Sequence, residues 1–581
     1  MQFSKLAGYL NRLERTPSRL EITKILSELF KETDKNEIDK VCYLILGILA
    51  PSYEGVLLNL AERMMIRTLA LAYQKDPADV LSLFKKVGDI GDVAESLSQS
   101  LSLRKTNKPL VNDVHKTLLD IAKDSGAGSV ERKVSAMAKL LGKLDPLSAR
   151  FIARVPIGKL RLGFSEKTII DALANGDKRV EIEIESAYNI RPDIGYIAKL
   201  VKSNKLQETR PEIGVPVVPM LAQRLNNTSE MIKKMGEVAV EPKFDGLRIF
   251  IHYKRSEGPE TSSGSDFIRI FTRNMNAIPL ETFPELHEVG KYIRADEIIL
   301  DTEAVGLDSE REGFLDFQKT IQRRRKHDVE KTQNDIPLQF QVFDILLSDG
   351  KSFLHLPYTE RRREIEKVVV NGNLLKVDEY TLTSDPEIIK KLHEKYLKMG
   401  LEGVVVKKAN GLYVSGRTGW NWVKMKEEEG KRGRLSDTLD CIVMGYFTGK
   451  GKRAQFGLGK ILVGIKDGDK IRTLTKVGTG LTEDMLVQLK KRLDKLESKD
   501  KQSLPLRGKP KEYEAQKDLI PDVWAAPRLV VEVSADSISV STKHSLGLSL
   551  RFPRFLKIRE DKGVNEATTL KELKDIAKMP K

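Results

Sequence analysis

The sequence has little cysteine and no long apolar run. Cys42 and Cys441 are the only cysteines among 581 residues, so neither a disulfide framework nor a cysteine-rich zinc site can be built from them. A membrane-spanning helix would need about eighteen consecutive apolar residues, and no such run occurs. Met1–Leu6 also lacks the apolar core of a signal peptide. We therefore expect an intracellular protein without a membrane segment.

The chain is long and strongly basic. Its length predicts roughly three or four domains. The 99 Lys and Arg residues outnumber the 83 Asp and Glu residues, which gives a formal net charge of +16. A polyanionic partner such as nucleic acid is favoured over a basic surface that serves only solubility.

The residue pattern changes twice along the chain. The N-terminal third is predicted to be helical, because Ser18 and Glu21 form a capping-box pattern and Ile22–Phe30 repeats apolar residues along one helical face. Leu57–Leu71 carries a comparable stripe. Short alternating strands begin around Pro211, Pro216 and Pro219, and they end at the charged, glycine-punctuated segment Glu427–Gly433, which is typical of a linker.

The part beyond this linker is β-rich at Cys441–Phe447 and Ile461–Ile465, which predicts a small antiparallel barrel. The resulting division of the chain is a helical domain over 1–212, an α+β domain over 213–427 and a barrel with a C-terminal helix over 428–581.

Lys243 is the first candidate reactive residue. It ends a predicted strand on which Glu241 and Lys243 share one face, and the turn residues Asp245 and Gly246 follow. On its own this pattern is more typical of a solvated lysine before a turn.

Other polar residues break the strand pattern in a way that suits a nucleotide. Phe343 lies on the polar face of its strand, as a second core contact or as a platform for a base. Glu303 and Glu402 flank apolar strands, as solvated caps or as ligands of a divalent cation. Lys424 and Lys426 share one face, as an exposed strand edge or as a pair that holds an anion.

Together these motifs resemble those of ATP-dependent DNA ligases of the archaeal and eukaryotic replicative type, within the nucleotidyltransferase superfamily. The resemblance covers nearly the whole chain and rests on motifs in the same order: Lys243–Arg248, Thr272–Asn274, Asp301–Glu303, Phe343–Leu346, Glu402–Lys407, Trp422–Lys426 and Arg551–Phe555.

The resemblance implies a multidomain α+β fold. It would comprise an all-α DNA-binding domain, an α+β nucleotidyltransferase (adenylation) domain with antiparallel sheets, and a C-terminal OB-fold β-barrel. It also implies an ATP-dependent enzyme that seals 5′-phosphate/3′-hydroxyl nicks in duplex DNA through lysyl-AMP and DNA-adenylate, in replication, repair and recombination. The partner would be nicked DNA, the enzyme a monomer, and the location the nucleoid-containing cytoplasm or a nucleus.

The resemblance also assigns roles to residues. Lys243 is the expected nucleophile, with cations at Arg248, Lys424 and Lys426 favouring its neutral amine. Mg²⁺, or Mn²⁺ in its place, would bind Glu303 and Glu402. The residues implied in binding ATP are Glu241, Arg248, Arg273, Glu303, Phe343, Arg417, Lys424, Lys426, Arg551 and Arg554.

The sequence departs from the family pattern in a few places. Thr302 stands where glycine is common, and Arg417 lies about one residue earlier than the usual arginine. A sliding clamp remains open as a partner, although Gln99–Leu103 lacks the aromatic pair of clamp-binding peptides.

Other classes of enzyme and binding protein fit the sequence less well than a DNA ligase. A capping enzyme would use GTP and would not need the helical region, and an RNA ligase would act on RNA. A non-catalytic DNA-binding protein would leave the acidic and aromatic cleft residues without a role. An NAD-dependent ligase usually carries a four-cysteine zinc module, which two cysteines cannot make.

Overall fold

The computed structural model describes most of the chain, and its described residues form two compact units, Met1–Lys426 and Glu427–Lys581. The described residues are 1–16, 18–100, 109–158, 160, 162–256, 265–308, 313–315, 320–324, 336–416, 419–426, 438–449, 453, 456–497, 509–535 and 537–576. Arg417, the predicted linker Glu427–Gly433 and residues 101–103 of the segment considered for clamp binding lie outside them. Among the described helices, none is both long and apolar enough to cross a membrane.

The N-terminal region is helical, as predicted. Ser18 Oγ accepts a hydrogen bond from Glu21 N at 3.5 Å, and the apolar stripe of Ile22–Phe30 is buried. The α-helices are α1 (Phe3–Glu14), α2 (Arg19–Glu32), α3 (Ile38–Leu46), α4 (Glu62–Tyr73), α5 (Pro77–Val87), α6 (Ile90–Ser100), α7 (Val111–Lys123), α8 (Ser129–Lys143), α9 (Pro146–Arg154), α10 (Glu166–Leu173), α11 (Lys178–Ile190) and α12 (Ile194–Ser203).

The stripe predicted over Leu57–Leu71 is helical only in its second part. Helix α4 begins at Glu62, and the residues before it are extended. Leu58 and Leu60 are buried, whereas Leu57 is 65% exposed, so burial there alternates with the period of two that extended chain requires.

The next region mixes helices with two mainly antiparallel sheets, as predicted. One sheet has the strand order β1-β13-β12-β2-β11 and the other β10-β8-β6-β3-β4-β5. The elements are β1 (Gln223–Arg224), α13 (Thr228–Met235), β2 (Val238–Lys243), β3 (Leu247–Lys254), β4 (Phe267–Thr272), β5 (Ala277–Ile278), β6 (Glu297–Asp308), β7 (Gly313–Phe314), β8 (Leu338–Ser348), β9 (Lys351–Ser352), α14 (Tyr358–Val368), β10 (Leu375–Val377), β11 (Thr381–Thr383), α15 (Pro386–Lys398), β12 (Gly403–Lys408) and β13 (Trp422–Lys426).

The turn between β2 and β3 carries the chain from one sheet to the other. Lys243 is the last residue of β2, and Leu247 is the first of β3. Only glycine fits at position 246, because a Cβ there would clash with the carbonyl oxygen of Ala304. This crossing places Lys243 at the junction of the two sheets.

The second unit is a domain mainly of strands. Its main sheet has the order β17-β16-β15-β14-β19-β22. The elements are β14 (Leu439–Phe447), β15 (Lys460–Asp467), β16 (Lys470–Val477), α16 (Glu483–Lys495), β17 (Tyr513–Glu514), β18 (Val523–Trp524), β19 (Val530–Ser534), β20 (Ser537–Val540), β21 (Leu548–Arg551), β22 (Arg554–Ile558) and α17 (Leu570–Ile576).

Short 3-10 segments join these elements in both units. They are Ser52–Glu54, Val155–Ile157, Leu206–Glu208, Leu280–Thr282, Pro284–Tyr292, Ile321–Arg324, Lys517–Leu519 and Val564–Glu566.

Candidate active site

A cavity of about 560 Å³ lies where the two sheets of the first unit meet. Strands from both sheets contribute to its wall. Of the predicted site residues, it brings together Glu241, Lys243, Arg248, Arg273, Glu303, Phe343 and Lys424.

Lys243 is partly buried in this cavity and forms an ion pair. Its Nζ lies 2.6 Å from Glu402 Oε2, and the Glu402 backbone N donates to Lys243 O at 2.9 Å. We expected cations around Lys243, and the structure adds a carboxylate in direct contact with it. This pairing was not predicted because β12, which Glu402 precedes, is remote from β2 in sequence.

Glu303 lies opposite Arg248 in the register of β6 and β3. Its Oε1 accepts a hydrogen bond from Gly246 N at 3.2 Å. Burial raises the pKa of Glu303 to about 7, although the charges of Lys243 and Arg248 oppose this rise. Burial therefore weakens the preference of this carboxyl for its ionised form.

The carboxylates of Glu303 and Glu402 are both close enough to Lys243 to interact with its charge. Within the described residues, no group of three His, Cys, Asp or Glu side chains forms a ready-made metal site. Mg²⁺ commonly binds one or two carboxylates and takes its other ligands from phosphates and water. The two carboxylates fit that donor set.

The deep end of the cavity contains a buried ionic network around Glu241. The carboxylate accepts a hydrogen bond from the Tyr358 hydroxyl, and its Oε2 lies 2.6 Å from Lys407 Nζ. Lys407 also donates to Phe343 O at 2.8 Å. Both charged side chains are about 1–2% exposed, so each neutralises a charge that would be costly to bury alone.

Phe343 lies at an irregularity between β6 and β8. Thr302 pairs with Val342 and Asp301 with Asp344, which leaves Phe343 without an opposite residue. A bulge of this kind turns a side chain out of the regular alternation. The ring packs edge-on against Trp422, with centroids 6.0 Å apart.

Arg248 is held by protein acceptors rather than left free in the cavity. Its Nε and Nη2 donate to Asp301 at 2.9 and 2.6 Å, and Nη1 donates to Met220 O at 2.6 Å. Its guanidinium also lies 5.5 Å from the centroid of the Phe343 ring. These contacts fix the guanidinium plane and make Arg248 part of the cavity wall.

The remaining predicted residues are placed as follows. Lys426 ends β13 opposite Gly403. Arg551 and Arg554 belong to the second unit, where both are exposed at the ends of β21 and β22.

Asp378, Lys407 and Trp422 also line the cavity, although they were not among the predicted site residues. Lys407 and Trp422 lie within the motifs Glu402–Lys407 and Trp422–Lys426. The position of Lys407 directly after a run of valines could have indicated a functional lysine. Asp378 follows an ordinary short strand and gave no signal.

The fold and cavity define an α+β adenylation domain flanked by a helical region and a domain of strands. Three family models match the chain: DNA ligase N terminus over residues 2–174, ATP dependent DNA ligase domain over 219–426 and ATP dependent DNA ligase C terminal region over 454–562.

Whole-length relatives agree with these matches. The chain is 37% identical to a probable DNA ligase of Dictyoglomus turgidum, over 99% of this chain and 97% of that protein. It is 35% identical to a DNA ligase of Pyrobaculum arsenaticum, over 100% of this chain and 99% of that protein. The chain therefore belongs to the ATP-dependent DNA ligase family.

A solved structure supports the fold. The structure described as Pmar-Lig_PreS3 is similar with a TM-score of 0.52 at 18% identity, over 95% of this chain and 99% of that one.

Proposed function

We propose that this ligase seals nicked DNA through a covalent AMP adduct on Lys243. The ε-amine attacks the α-phosphorus of ATP, a nitrogen–phosphorus bond forms and pyrophosphate leaves. AMP then passes to the 5′-phosphate of a nick, and the 3′-hydroxyl displaces it. The observation that carries this proposal is the position of Lys243 in the cavity between the sheets, 2.6 Å from a carboxylate.

Glu402 would receive the proton that Lys243 loses, pass it to solvent and then be available to bind a cation. Its Oε2 is within hydrogen-bond reach of Nζ, which is the geometric requirement for a general base. The attack requires this ion pair to separate, because an ammonium group has no lone pair.

The deep end of the cavity would hold the adenine. Phe343 offers a ring on which a purine can stack. The positively charged groups of Arg248 and Lys407 contact this ring and keep it in place. Glu241, which Tyr358 and Lys407 hold in place, would contact the base. Glu303 and Arg248 would contact ribose and phosphate.

Glu303 and Glu402 would hold Mg²⁺, with Mn²⁺ as the alternative. A divalent cation there supplies neutralising charge for the phosphates of the nucleotide. The remaining phosphate charge would meet Arg273, Lys424 and Lys426.

The second unit would be an OB-fold barrel that contributes Arg551 and Arg554 to the first step. A bridge between Thr479, just after β16, and Arg554, at the start of β22, supports closure of the sheet into a barrel. We propose domain boundaries near residues 212 and 427. The unit boundary after Lys426 supports the second one.

The partner would be nicked duplex DNA, which the net charge of +16 favours. Action as a monomer inside the cell, roles in replication, repair and recombination, and contact with a sliding clamp remain proposals from the family resemblance.

Nick sealing with different nucleotides tests this function. Labelled nicked DNA and nicked RNA are incubated with the protein, Mg²⁺ and either ATP, ADP, GTP or NAD. We expect joined DNA with ATP. Joining only with GTP or NAD, or only on RNA, would contradict the assignment.

A further inference from the structure

Asp378 is a buried carboxyl group on the wall of the nucleotide cavity with an unused hydrogen-bonding atom. It is 4% exposed and lines the cavity. Its Oδ1 is buried, and among the described residues this atom has no hydrogen-bond partner. A buried polar atom without a partner costs free energy unless a ligand or water satisfies it.

The backbone fixes Asp378 beside the aromatic platform. Asp378 follows β10, and its N donates to Val342 O at 3.1 Å, one residue before Phe343. Each oxygen of Glu241 already has a partner, since Tyr358 and Lys407 bind one each. Among the described residues, Asp378 Oδ1 by contrast has no partner and can accept or donate a further hydrogen bond to a bound base.

We propose that Asp378 hydrogen-bonds the edge of the adenine that stacks on Phe343. This inference rests on the proposed function, because it needs a nucleotide in this cavity.

The match follows from the hydrogen-bonding groups of the carboxyl and of adenine. A neutral carboxyl has one donor and one acceptor side by side. Adenine offers an amino donor at N6 next to an acceptor at N1, so both groups of the acid are satisfied.

The surroundings of Asp378 favour its neutral form. Burial and the nearby charge of Glu241 raise the pKa of Asp378 well above its ordinary value, and Glu303 adds to this effect. Arg362 and Lys407 act in the opposite direction.

Two variants of similar shape separate hydrogen bonding from packing. Asp378→Asn keeps one donor and one acceptor, whereas Asp378→Leu keeps neither. The full-length protein is incubated with Mg²⁺ and α-labelled ATP, and the rate of covalent labelling is measured over a range of nucleotide concentrations. We expect Asp378→Leu to raise KM for ATP by roughly tenfold with little change in the maximal rate, because the hydrogen bonds to the base are lost. Asp378→Asn should hold KM for ATP within about threefold of wild type.

The controls separate this inference from the proposed function. Glu394→Ala removes an exposed carboxylate of α15 and should leave KM for ATP unchanged, and thermal unfolding identifies a variant that fails to fold. Asp378→Ala replaces the leucine variant in that case. A wild-type KM in the leucine or alanine variant overturns the inference, as does an asparagine variant that behaves like leucine. Absence of labelling in the wild-type protein instead overturns the proposed function.

Discussion

At the scale of single residues, the buried ion pair of Glu241 with Lys407 shapes the deep end of the cavity. Removing one partner of a buried pair leaves an uncompensated charge. We expect Lys407→Met to lower the free energy of unfolding by about 3–5 kcal/mol, as measured by urea denaturation.

The double variant Glu241→Gln/Lys407→Met provides the control for this effect. It removes both charges, so it should recover part of the loss. Equal losses in the single and double variants would show that packing, and not the unpaired charge, dominates.

Phe343 gives a second prediction for a single residue. Phe343→Leu keeps an apolar side chain but removes the ring, so KM for ATP in the labelling reaction should rise roughly five- to tenfold through lost stacking. Phe343→Tyr keeps the ring and should stay within about twofold of wild type. An unchanged KM in the leucine variant would argue that the base does not stack there.

The chemical type of the site residues could be predicted from sequence, but their partners could not. Lys243, Glu303 and Phe343 break strand patterns in ways that a sequence reveals. The ion pair of Lys243 with Glu402 depends on two strands that are adjacent only after the sheet forms. Asp378 follows an unremarkable strand, and only its burial in the cavity wall reveals it.

At the scale of elements, β3 is joined to the segment before β1 through His252. This residue is fully buried, and its Nδ1 accepts a hydrogen bond from Gly214 N at 3.1 Å. Arg269 Nη1 donates to Gly214 O at 2.9 Å. Burial, and then the charge of Arg269, lower the pKa of His252 to about 3.

This depressed pKa predicts a pH-dependent stability. The neutral ring stabilises the fold above the ordinary histidine pKa of 6.5, and this contribution is lost as pH falls toward about 3. When the pH falls from about 7.5 to about 5, the contribution of His252 should lower the free energy of unfolding by about 2 kcal/mol.

The variant His252→Asn isolates this contribution because it keeps an acceptor near Nδ1 but does not titrate. Urea denaturation at both pH values should show a smaller fall in stability for the variant than for wild type. The same fall in both proteins would contradict the assignment.

Element types were predictable, whereas their irregularities were not. The helix over Ile22–Phe30 and the strand that ends at Lys243 follow from periodicity. The extended start of the Leu57–Leu71 stripe and the irregular pairing at Phe343 do not, because both depend on which neighbours cover each face.

At the scale of the whole molecule, the account assigns Arg551 and Arg554 of the second unit to the first step. The double variant Arg551→Ala/Arg554→Ala should slow covalent labelling by ATP by roughly a hundredfold. It removes two positive charges that would neutralise the departing pyrophosphate. Joining of a pre-adenylated nick should be affected far less, since no pyrophosphate leaves in that step.

Lys571→Ala is the matched control, because it removes an exposed cation from α17 of the same unit. It should leave labelling near the wild-type rate. Equal slowing of labelling and of joining in the double variant would contradict a role confined to the first step.

The covalent adduct itself tests the central claim most directly. The protein is incubated with α-labelled ATP and Mg²⁺, denatured, digested, and mapped by mass spectrometry. We predict AMP on Lys243 in the wild-type protein and no adduct in Lys243→Ala, with wild-type labelling in a Lys571→Ala control. AMP on another residue, or a label that persists in Lys243→Ala, would contradict the account.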